Sequence, residues 1–369
     1  MRIVVTGGDG FIARALRLRL NELGQEDVTS LTRHSHPDVW HAALETANIV
    51  FHLAGVNRPA DLSDYEMGNA ILTAELCEGL LRVGGKAVVV LSSSIQATRD
   101  NPYGRSKLHA EDAVRRYAET SGSRACILRL PNVFGKWARP NYNSAVATFC
   151  HNITRGIPIV VDDPSALVKL VYVEDVVDTL IALLPPSAVQ GMVDVSPVYD
   201  TTVGKVAEML YEFAAVRTTH AMPRVGTGFT RALYSTFVSY LEPSTFSYPL
   251  ARHEDARGSF SEVLRTEDSG QVSYFTARPG VTRGNHYHHT KTEKFLVVKG
   301  TARFGFRSIA HGDTYSITVD GSSPTIVETV PGWAHNVTNI GSEDLVVMLW
   351  ANETFDAEHP GTFPSKVET

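Results

Sequence analysis

The chain has 369 residues, of which 43% are hydrophobic and 20% charged, and its formal net charge is −6. This composition is typical of a globular protein, and the length favours about two domains. There is no basic block of the kind that nucleic-acid binding requires, and no apolar run reaches the roughly 18 residues that span a bilayer. We therefore expect neither nucleic acid nor a membrane as a partner.

The cysteines indicate the compartment. Cys77, Cys126 and Cys150 are odd in number and follow no metal-binding spacing. The N-terminal residues read as a strand and a turn rather than as a signal peptide. Together these features predict a cytoplasmic protein in a reducing compartment.

The first half of the chain alternates β-branched runs with amphipathic stretches. We predict helices over 11–23 and 103–120. The predicted strands are 2–6, 28–33, 49–53, 87–92 and 125–129. Alternation of this kind predicts an α/β, Rossmann-like fold with a doubly wound parallel sheet.

A glycine-rich turn, TGGDGFIA, lies between the first predicted strand and helix. Gly7 and Gly10 let the backbone turn tightly and approach a pyrophosphate at the helix N-terminus, where we also predict cofactor contacts from Phe11 and Ile12. A plain strand–helix turn is the alternative explanation. The third small position is Ala13, which still allows close packing of helix on sheet.

Arg33 ends the second predicted strand. An Asp or Glu at this place usually binds the ribose of NAD, whereas a cation favours the 2′-phosphate of NADP. Arg33 therefore predicts NADPH as the cofactor. A solvated surface arginine is the alternative.

Tyr103 and Lys107 lie four residues apart at the start of a predicted helix and share one face. Upstream, an apolar strand ends in Ser92, Ser93 and Ser94. A nearby cation lowers the pKa of a phenol, which can then protonate the alkoxide formed when hydride reaches a ketone. A serine hydroxyl would hold the same oxygen. The pair alone is common on exposed helices, but with the glycine-rich turn it predicts a ketone reductase.

Roughly residues 1–240 resemble the extended short-chain dehydrogenase/reductase family. The resemblance is carried by TGGDGFIA, HLAG, the serine strand, YGRSK, RLPNVFG and YVEDVV. Members of that family largely act on nucleotide sugars, which implies a UDP-sugar or related substrate.

The resemblance also implies residue roles. Tyr103 would be the catalytic acid-base, and Lys107 its modulator and a ligand of the cofactor ribose. Ser93 is preferred as the serine that holds the carbonyl oxygen. His52 and Ala54, in HLAG, are predicted to contact the cofactor.

The same resemblance implies a substrate-binding region. Asn132, Lys136 and the loop 141–144, with Asn141 and Asn143, would face the diphosphate and base of the substrate. A turn-forming role is the alternative for Asn132.

The pattern changes after about residue 240, where short strands are separated by glycine and proline. This pattern predicts an all-β barrel or sandwich. We therefore predict two domains, 1–243 and 244–369. Predicted helices over 205–215 and 229–241 would bridge them.

His286 and His288 alternate along a predicted strand, so their rings should point to the same face. Glu293 follows at the start of the next strand, and His335 lies in VPGWAHNVTN. Three imidazoles and one carboxylate can bind Zn, Fe, Mn, Co or Ni. A surface location is the alternative for the first two histidines taken alone.

Roughly residues 246–355 match both motifs of the cupin superfamily. The matching residues run from Gly280 through the histidines to Gly300, and from PGWAH to Asn339. The resemblance implies a cupin barrel with a divalent metal, for which we favour zinc. His289 is an alternative ligand, although its side chain should point away from those of the other two histidines.

A ketone acidifies the hydrogens on its neighbouring carbons, and a Lewis acid on the carbonyl oxygen stabilises the enolate. A side-chain base can then remove a proton and return it to the opposite face, which is epimerisation. Tyr287, His289 and Lys291 are candidate acid-base groups near the predicted metal. A metal that only stabilises the fold is the alternative.

Four further segments are informative: SSSIQATRDNPYG, GKWARPNYNSAVATFC, the junction YLEPSTFSYPL and GNHYHHTKTEKFLVV. With them, essentially the whole chain resembles the CapF family (also called WbjC) of capsular-polysaccharide enzymes. That resemblance implies a homodimer acting in UDP-N-acetyl-L-fucosamine synthesis. The cupin domain would epimerise C3 of a UDP-2-acetamido-2,6-dideoxy-4-hexulose, and the reductase domain would reduce the C4 ketone with NADPH to the 6-deoxy-talose derivative. The alternatives are an NAD-dependent nucleotide-sugar epimerase or dehydratase with a structural cupin, and a regulatory binding module.

Overall fold

The computed structural model describes residues 1–250, 253–255, 258–260, 264–266, 270–353 and 358–368. The chain divides into two compact units. The first comprises Met1–Phe134, Asn141–Ser144 and Leu167–Thr201. The second comprises Gly135–Pro140, Ala145–Ala166 and Thr202–Thr369.

A six-stranded sheet with parallel pairing forms the centre of the first unit. In spatial order its strands are Val28–Leu31, Ile3–Thr6, Ile49–His52, Val88–Ser94, Ala125–Leu130 and Gly191–Met192. The first five begin within one residue of the predicted starts, which confirms the predicted doubly wound sheet. Their apolar runs are buried because helices cover a parallel sheet on both faces.

The helices of this unit follow the strands. They are Phe11–Glu22, Pro37–Thr46, Leu72–Arg82, Pro102–Ser121 and Val173–Ala182. A short helix, Ser63–Tyr65, and a π-helical turn, Glu66–Ile71, lead directly into Leu72–Arg82. A 3-10 turn at Ile95–Thr98 precedes the longest helix. Three further strands form a small second sheet: Asn132–Phe134, Leu167–Tyr172 and Val198–Thr202.

The second unit contains three helices: Ala145–Ile153, Val203–Thr219 and Gly228–Val238. The last two lie close to the segments that we predicted as helical bridges, and by packing they belong to this unit. Phe213 joins them through ring contacts with Tyr234 and Phe237, with centroids 5.1 and 6.0 Å apart.

Two five-stranded sheets form the β-rich part of the second unit, and the pairings between their neighbouring strands are antiparallel. One has the order Ser247–Pro249, Thr325–Glu328, Glu293–Lys299, Leu345–Ala351 and Gln271–Ala277. The other has the order Thr314–Asp320, Thr301–Ser308, Trp333–Asn339, Thr282–Tyr287 and Phe363–Pro364. This strand-rich arrangement confirms the predicted change of fold class along the chain.

Aromatic side chains fill the space between these two sheets. Phe295 of the first sheet contacts Phe304 of the second, with ring centroids 5.5 Å apart. Phe246 contacts Phe306 and Trp333 in edge-to-face geometry, at 5.4 and 5.2 Å. Such pairs bury large apolar areas and so hold the two sheets together.

Shorter elements complete the second unit. They are a 3-10 turn at Pro243–Thr245 and the strands Ala221–Met222, His253–Asp255, Gly258–Phe260 and Arg265–Thr266. None of the helices in the described part of the chain is long and apolar enough to cross a bilayer. All three cysteines are buried free thiols.

Candidate functional sites

The glycine-rich turn has the geometry that a pyrophosphate needs. Gly7 has φ +66°, and a Cβ there would lie 2.7 Å from Cα of Ala54, so only glycine fits. The N–H of Gly10 donates to the carbonyl of Gly7 at 2.7 Å. No side chain in the described structure caps the helix that begins at Phe11. The first-turn N–H groups, Phe11 and Ile12 included, therefore provide an anion-binding helix N-terminus.

Arg33 is exposed, in a turn just beyond the strand Val28–Leu31. The N–H of Gly8 donates to the carbonyl of Leu31 at 3.0 Å, which joins the glycine-rich turn to the end of that strand. Arg33 thus lies two residues beyond a strand end that is hydrogen-bonded to the glycine-rich turn.

His52 does not present its side chain to a cofactor. The imidazole has 0% exposure, and its two nitrogens contact the hydroxyls of Thr6 and Thr73 at 2.7 and 2.9 Å. Burial, with a smaller effect from the charge of Lys107, lowers the pKa of His52 to about 3. The ring is thus bonded inside the fold, and the cofactor contact predicted for His52, which did not specify its side chain, stays a prediction.

Local hydrogen bonds fix the start of the helix that carries Tyr103. The side chain of Asn101 accepts a hydrogen bond from the N–H of Gly104 at 2.8 Å, and Pro102 occupies the first helical position. A Cβ on Gly104 would lie 2.4 Å from the carbonyl oxygen of Gln96, so glycine lets the helix approach the preceding turn. Tyr103 is therefore held in the first turn.

Tyr103 and the side chain of Ser94 lie near enough for hydrogen bonding to affect the pKa of the phenol. Burial raises the pKa of Tyr103, while the bond to Ser94 lowers it in part. Lys107 is buried and donates through Nζ to the carbonyl of Ser92 at 3.1 Å, and burial lowers its pKa to about 8. Burial outweighs the lowering effect, so the net direction for Tyr103 is opposite to the lowered pKa predicted from the sequence.

Ser93, the preferred serine of the sequence prediction, points elsewhere. Its hydroxyl donates to Oε1 of Glu111 at 2.6 Å. Glu111 is buried, accepts two hydrogen bonds from Arg129 at 2.7 and 2.8 Å, and also pairs with Arg115. Because neighbouring residues of a strand face opposite ways, Ser94 rather than Ser93 meets Tyr103.

The predicted substrate residues fall into two groups. Asn132, Asn141 and Asn143 are exposed and belong to the first unit. Lys136 belongs to the second unit, where it is 1% exposed and its Nζ lies 3.0 Å from Nδ1 of His289. The Lys136 ammonium is thus buried inside that unit, and its contact with the substrate diphosphate stays a prediction.

The four predicted metal ligands lie together in the second unit. One ligand atom from each of His286, His288, Glu293 and His335 lies within 4.8 Å of all the others. Glu293 Oε2 is 3.3 Å from Nε2 of His288 and 3.2 Å from Nε2 of His335. Nδ1 of His288 contacts the carbonyl of Gly361 at 2.8 Å, which orients the ring from behind.

A β-bulge sets the directions of the His286 and His335 side chains. Gly284 has φ +102° and Asn285 φ +59°, and the strand register shifts between Gly284 and His286. After the shift, His286 lies directly opposite His335. The bulge thus turns the strand so that both rings face the cluster.

The cluster contains polar atoms that the protein itself leaves unsatisfied. Among the described residues, Nε2 of His288, Oε2 of Glu293 and both ring nitrogens of His335 are buried and lack a hydrogen bond of good geometry. Burial opposes ionisation of Glu293, yet the facing histidines bring its pKa well below the usual value. Burial also lowers the pKa of His286 to about 4. A buried carboxylate beside three imidazoles fits a divalent cation.

The three candidate acid-base residues near the cluster have other contacts. The Tyr287 ring lies 5.6 Å from the rings of both His289 and Phe363, and Lys291 donates to the carbonyl of Pro360 at 3.0 Å. In the described part of the chain the ligand cluster does not include His289. This agrees with the expected opposite direction of its side chain.

Comparisons with known proteins cover the whole chain. Residues 3–193 match the NAD dependent epimerase/dehydratase family, and residues 253–363 match the polysaccharide biosynthesis C-terminal domain. A Pseudomonas aeruginosa protein named UDP-2-acetamido-2,6-beta-L-arabino-hexul-4-ose reductase is 51% identical over 100% of this chain and 99% of its own length. The crystal structure of CapF, a capsular polysaccharide assembling protein of Staphylococcus aureus, is 40% identical, covers 100% of both chains and superposes with a TM-score of 0.69.

This chain belongs to the CapF-type branch of the NAD dependent epimerase/dehydratase family. The UDP-glucose 4-epimerase of Thermus thermophilus shares only the fold of part of the CapF-type chain. It is 21% identical, with a TM-score of 0.50 over 58% of this chain and 84% of its own.

Sequence reasoning missed several residues of this CapF-type site. Glu111 lies one helical turn beyond Lys107, and its pairing with Arg129 depends on tertiary packing. Tyr65 was also missed, and its ring centroid lies 5.4 Å from that of Tyr103. Only Ser94 could have been found from the local sequence, because it is the third residue of the serine run from which Ser93 was preferred.

Proposed function

We propose that this CapF-type chain is a bifunctional enzyme of UDP-N-acetyl-L-fucosamine synthesis for capsular polysaccharide or O-antigen. A cupin domain, 244–369, epimerises C3 of UDP-2-acetamido-2,6-dideoxy-4-hexulose. A reductase domain, 1–243, reduces the C4 ketone to UDP-2-acetamido-2,6-dideoxy-L-talose. The observation that carries this proposal is full-length 51% identity to a protein named as a reductase of such a 4-hexulose.

In the reduction, NADPH supplies hydride to C4 when it is bound. Tyr103 donates its hydroxyl proton to the C4 oxygen as negative charge develops there. The raised pKa of Tyr103 supports this role, because the phenol stays protonated at neutral pH. Ser94, whose side chain influences the pKa of Tyr103, donates a hydrogen bond to the same C4 oxygen.

Lys107 assists from one helical turn further on. After the proton has moved, the phenolate of Tyr103 is stabilised by the ammonium of Lys107 on the same helix face. The carbonyl of Ser92 holds that ammonium in place at 3.1 Å. The charge of Arg33 favours the 2′-phosphate of NADPH over NADH.

In the epimerisation, the four-residue cluster would hold a divalent metal, preferably zinc, which supplies a Lewis acid for the substrate carbonyl. His286, His288, Glu293 and His335 are the proposed ligands, and their unsatisfied buried atoms support the assignment. Epimerisation precedes reduction, because reduction removes the ketone that makes the C3 hydrogen acidic. We further propose a homodimer in the reducing cytoplasm, in keeping with three buried free thiols.

The test supplies the UDP-4-hexulose with NADPH or NADH and follows cofactor oxidation and product configuration by NMR. We expect NADPH to be oxidised faster than NADH and the product to carry an inverted C3 and a new C4 hydroxyl. A 4-epimer formed without net oxidation of NADPH would instead show an NAD-type epimerase and overturn the proposal.

A further inference from the structure

A continuous chain of buried hydrogen bonds runs beneath the reductase site of the first unit. Its side chains have at most 1% exposure. They are Thr6, His52, Asn69, Thr73 and Ser106. We call this set the polar chain. It starts at Thr6, immediately before the glycine-rich turn, and ends at the backbone of Tyr103.

The protons of its first half can be assigned by elimination. The single hydroxyl proton of Thr73 goes to the carbonyl of Asn69 at 2.6 Å, so Thr73 Oγ1 must accept from Nε2 of His52 at 2.9 Å. Nδ1 of His52 is then an acceptor, and the hydroxyl of Thr6 donates to it at 2.7 Å. Thr6 Oγ1 in turn accepts from the N–H of Ala54 at 3.2 Å.

The second half is fixed by the amide of Asn69. Its Oδ1 accepts from the N–H of Val56 at 2.9 Å, which settles the orientation of the amide. Its Nδ2 donates to the carbonyl of Val56 at 2.9 Å and to Oγ of Ser106 at 3.0 Å. Ser106 then donates to the carbonyl of Tyr103 at 2.9 Å. Every polar hydrogen of the chain therefore has a stated acceptor.

The chain also passes close to the second catalytic side chain. A Cβ on Gly55 would lie 2.8 Å from Oδ1 of Asn69 and 3.0 Å from Nζ of Lys107. Asn69 sits in the π-helical turn Glu66–Ile71, a kind of distortion that often marks functional positions. The polar chain thus connects the glycine-rich turn with the backbone of Tyr103 and passes close to the ammonium of Lys107.

We propose that His52, held as the Nε2-protonated neutral tautomer, is a positioning residue of the reductase. It fixes the glycine-rich turn relative to the helix that carries Tyr103 and Lys107. The inference rests on the proposed reductase function. It gives His52 a role other than the cofactor contact predicted from the sequence.

The first test reads the tautomer directly. In ¹⁵N-histidine-labelled full-length protein, NMR should show a proton on Nε2 of His52 and none on Nδ1, with His52→Gln used to assign the signal. A proton on Nδ1 would overturn the inference. Because no substrate is present, this failure is distinguishable from a failure of the proposed reduction.

The second test breaks the chain with a side chain of equal shape. Thr73→Val removes the hydroxyl between His52 and Asn69, and we expect kcat for ketone reduction to fall about 10- to 100-fold, because misplaced reacting groups are costly. Thr73→Ser keeps the hydroxyl, so its kcat should stay near the wild-type value. Tyr117→Phe is the matched control, since it removes a buried hydrogen bond to the carbonyl of Ala87 from the helix that carries Tyr103, but far along that helix from Tyr103.

Both variants should lower the melting temperature, but Thr73→Val alone should lower kcat. Equal kcat in the two folded variants would show that the chain is merely structural and would overturn the inference. A fall in kcat that serine at position 73 does not reverse would do the same.

Discussion

The two candidate sites differ in how completely the protein satisfies them. In the first unit the polar groups around Tyr103 are bonded to the protein, down to both nitrogens of His52 and the ammonium of Lys107. In the second unit the described ligand cluster keeps buried nitrogen and oxygen atoms without hydrogen bonds of good geometry. The first site is thus complete as a scaffold, whereas we propose that a divalent cation completes the second.

Unsatisfied buried atoms lower the stability of the unit that contains them. Each buried polar atom left unsatisfied costs about 1–3 kcal/mol, and more when it is charged. The cluster therefore destabilises the second unit unless a ligand binds it. The reductase site has no comparable cost, so its ligands should matter for turnover more than for folding.

Removal of metal should give the largest effect on stability. Metal in excess of its Kd by about 1,000-fold contributes about 4 kcal/mol, so chelation should lower the melting temperature by several degrees. His335→Ala should abolish the response of the melting temperature to chelator. Added NADPH should not compensate. Calorimetry that shows the same melting temperature with and without chelator would remove the contrast between the two sites.

The serine pair sharpens the comparison within the first site. Ser94→Ala should lower kcat for ketone reduction about 100- to 1,000-fold, because it removes a hydrogen bond to the C4 oxygen. Ser93→Ala is the matched control and should leave kcat near the wild-type value, because its hydroxyl serves Glu111. Steady-state kinetics that show the larger loss in Ser93→Ala would restore the prediction from sequence.

Arg33→Ala should change the choice of cofactor. A hydrogen bond to a charged group is worth about 1.5–3 kcal/mol, so the kcat/KM ratio for NADPH over NADH should fall about 10- to 100-fold. Arg14→Ala, on the helix that follows the glycine-rich turn, serves as the control. An unchanged ratio in Arg33→Ala would mean that Arg33 is only a solvated surface residue.

The smallest expected effect is the dependence of stability on pH. Burial opposes the charge of Glu111, but hydrogen bonds from Arg129 and Ser93 hold its folded-state pKa below the ordinary 4.5. Its stabilisation is therefore fully present above pH 4.5 and is lost as the pH falls through the lowered folded-state value. Urea unfolding should show Glu111→Gln less stable than wild type at pH 7, with a difference that shrinks in acid. A constant difference would contradict the ion-pair account.

Local spacing was enough to predict most of the fold and both sites in outline. The strand starts, the glycine-rich turn and the Tyr103–Lys107 pair depend on residues near in sequence. The metal cluster was found because His286 and His288 alternate on one strand, even though a bulge was needed to bring His335 opposite.

Where side-chain directions differ from those expected from the sequence, the cause is different. Ser93, His52 and Lys136 were assigned by their places in motifs, but their directions depend on distant partners. Ser93 is hydrogen-bonded to Glu111 rather than directed at Tyr103. His52 is bonded to Thr73, and the ammonium of Lys136 contacts the ring of His289. Such contacts arise only from tertiary packing, which single-sequence patterns do not encode.

The enzyme is proposed to carry out two chemical steps, each at its own set of residues. The most direct test places the UDP-4-hexulose in deuterated water without NADPH and follows C3 exchange by NMR. We predict exchange in wild type and in Tyr103→Phe, none in His286→Ala, and reduction of an already epimerised substrate by His286→Ala but not by Tyr103→Phe. Exchange that persists in His286→Ala, or reduction that survives in Tyr103→Phe, would contradict the account.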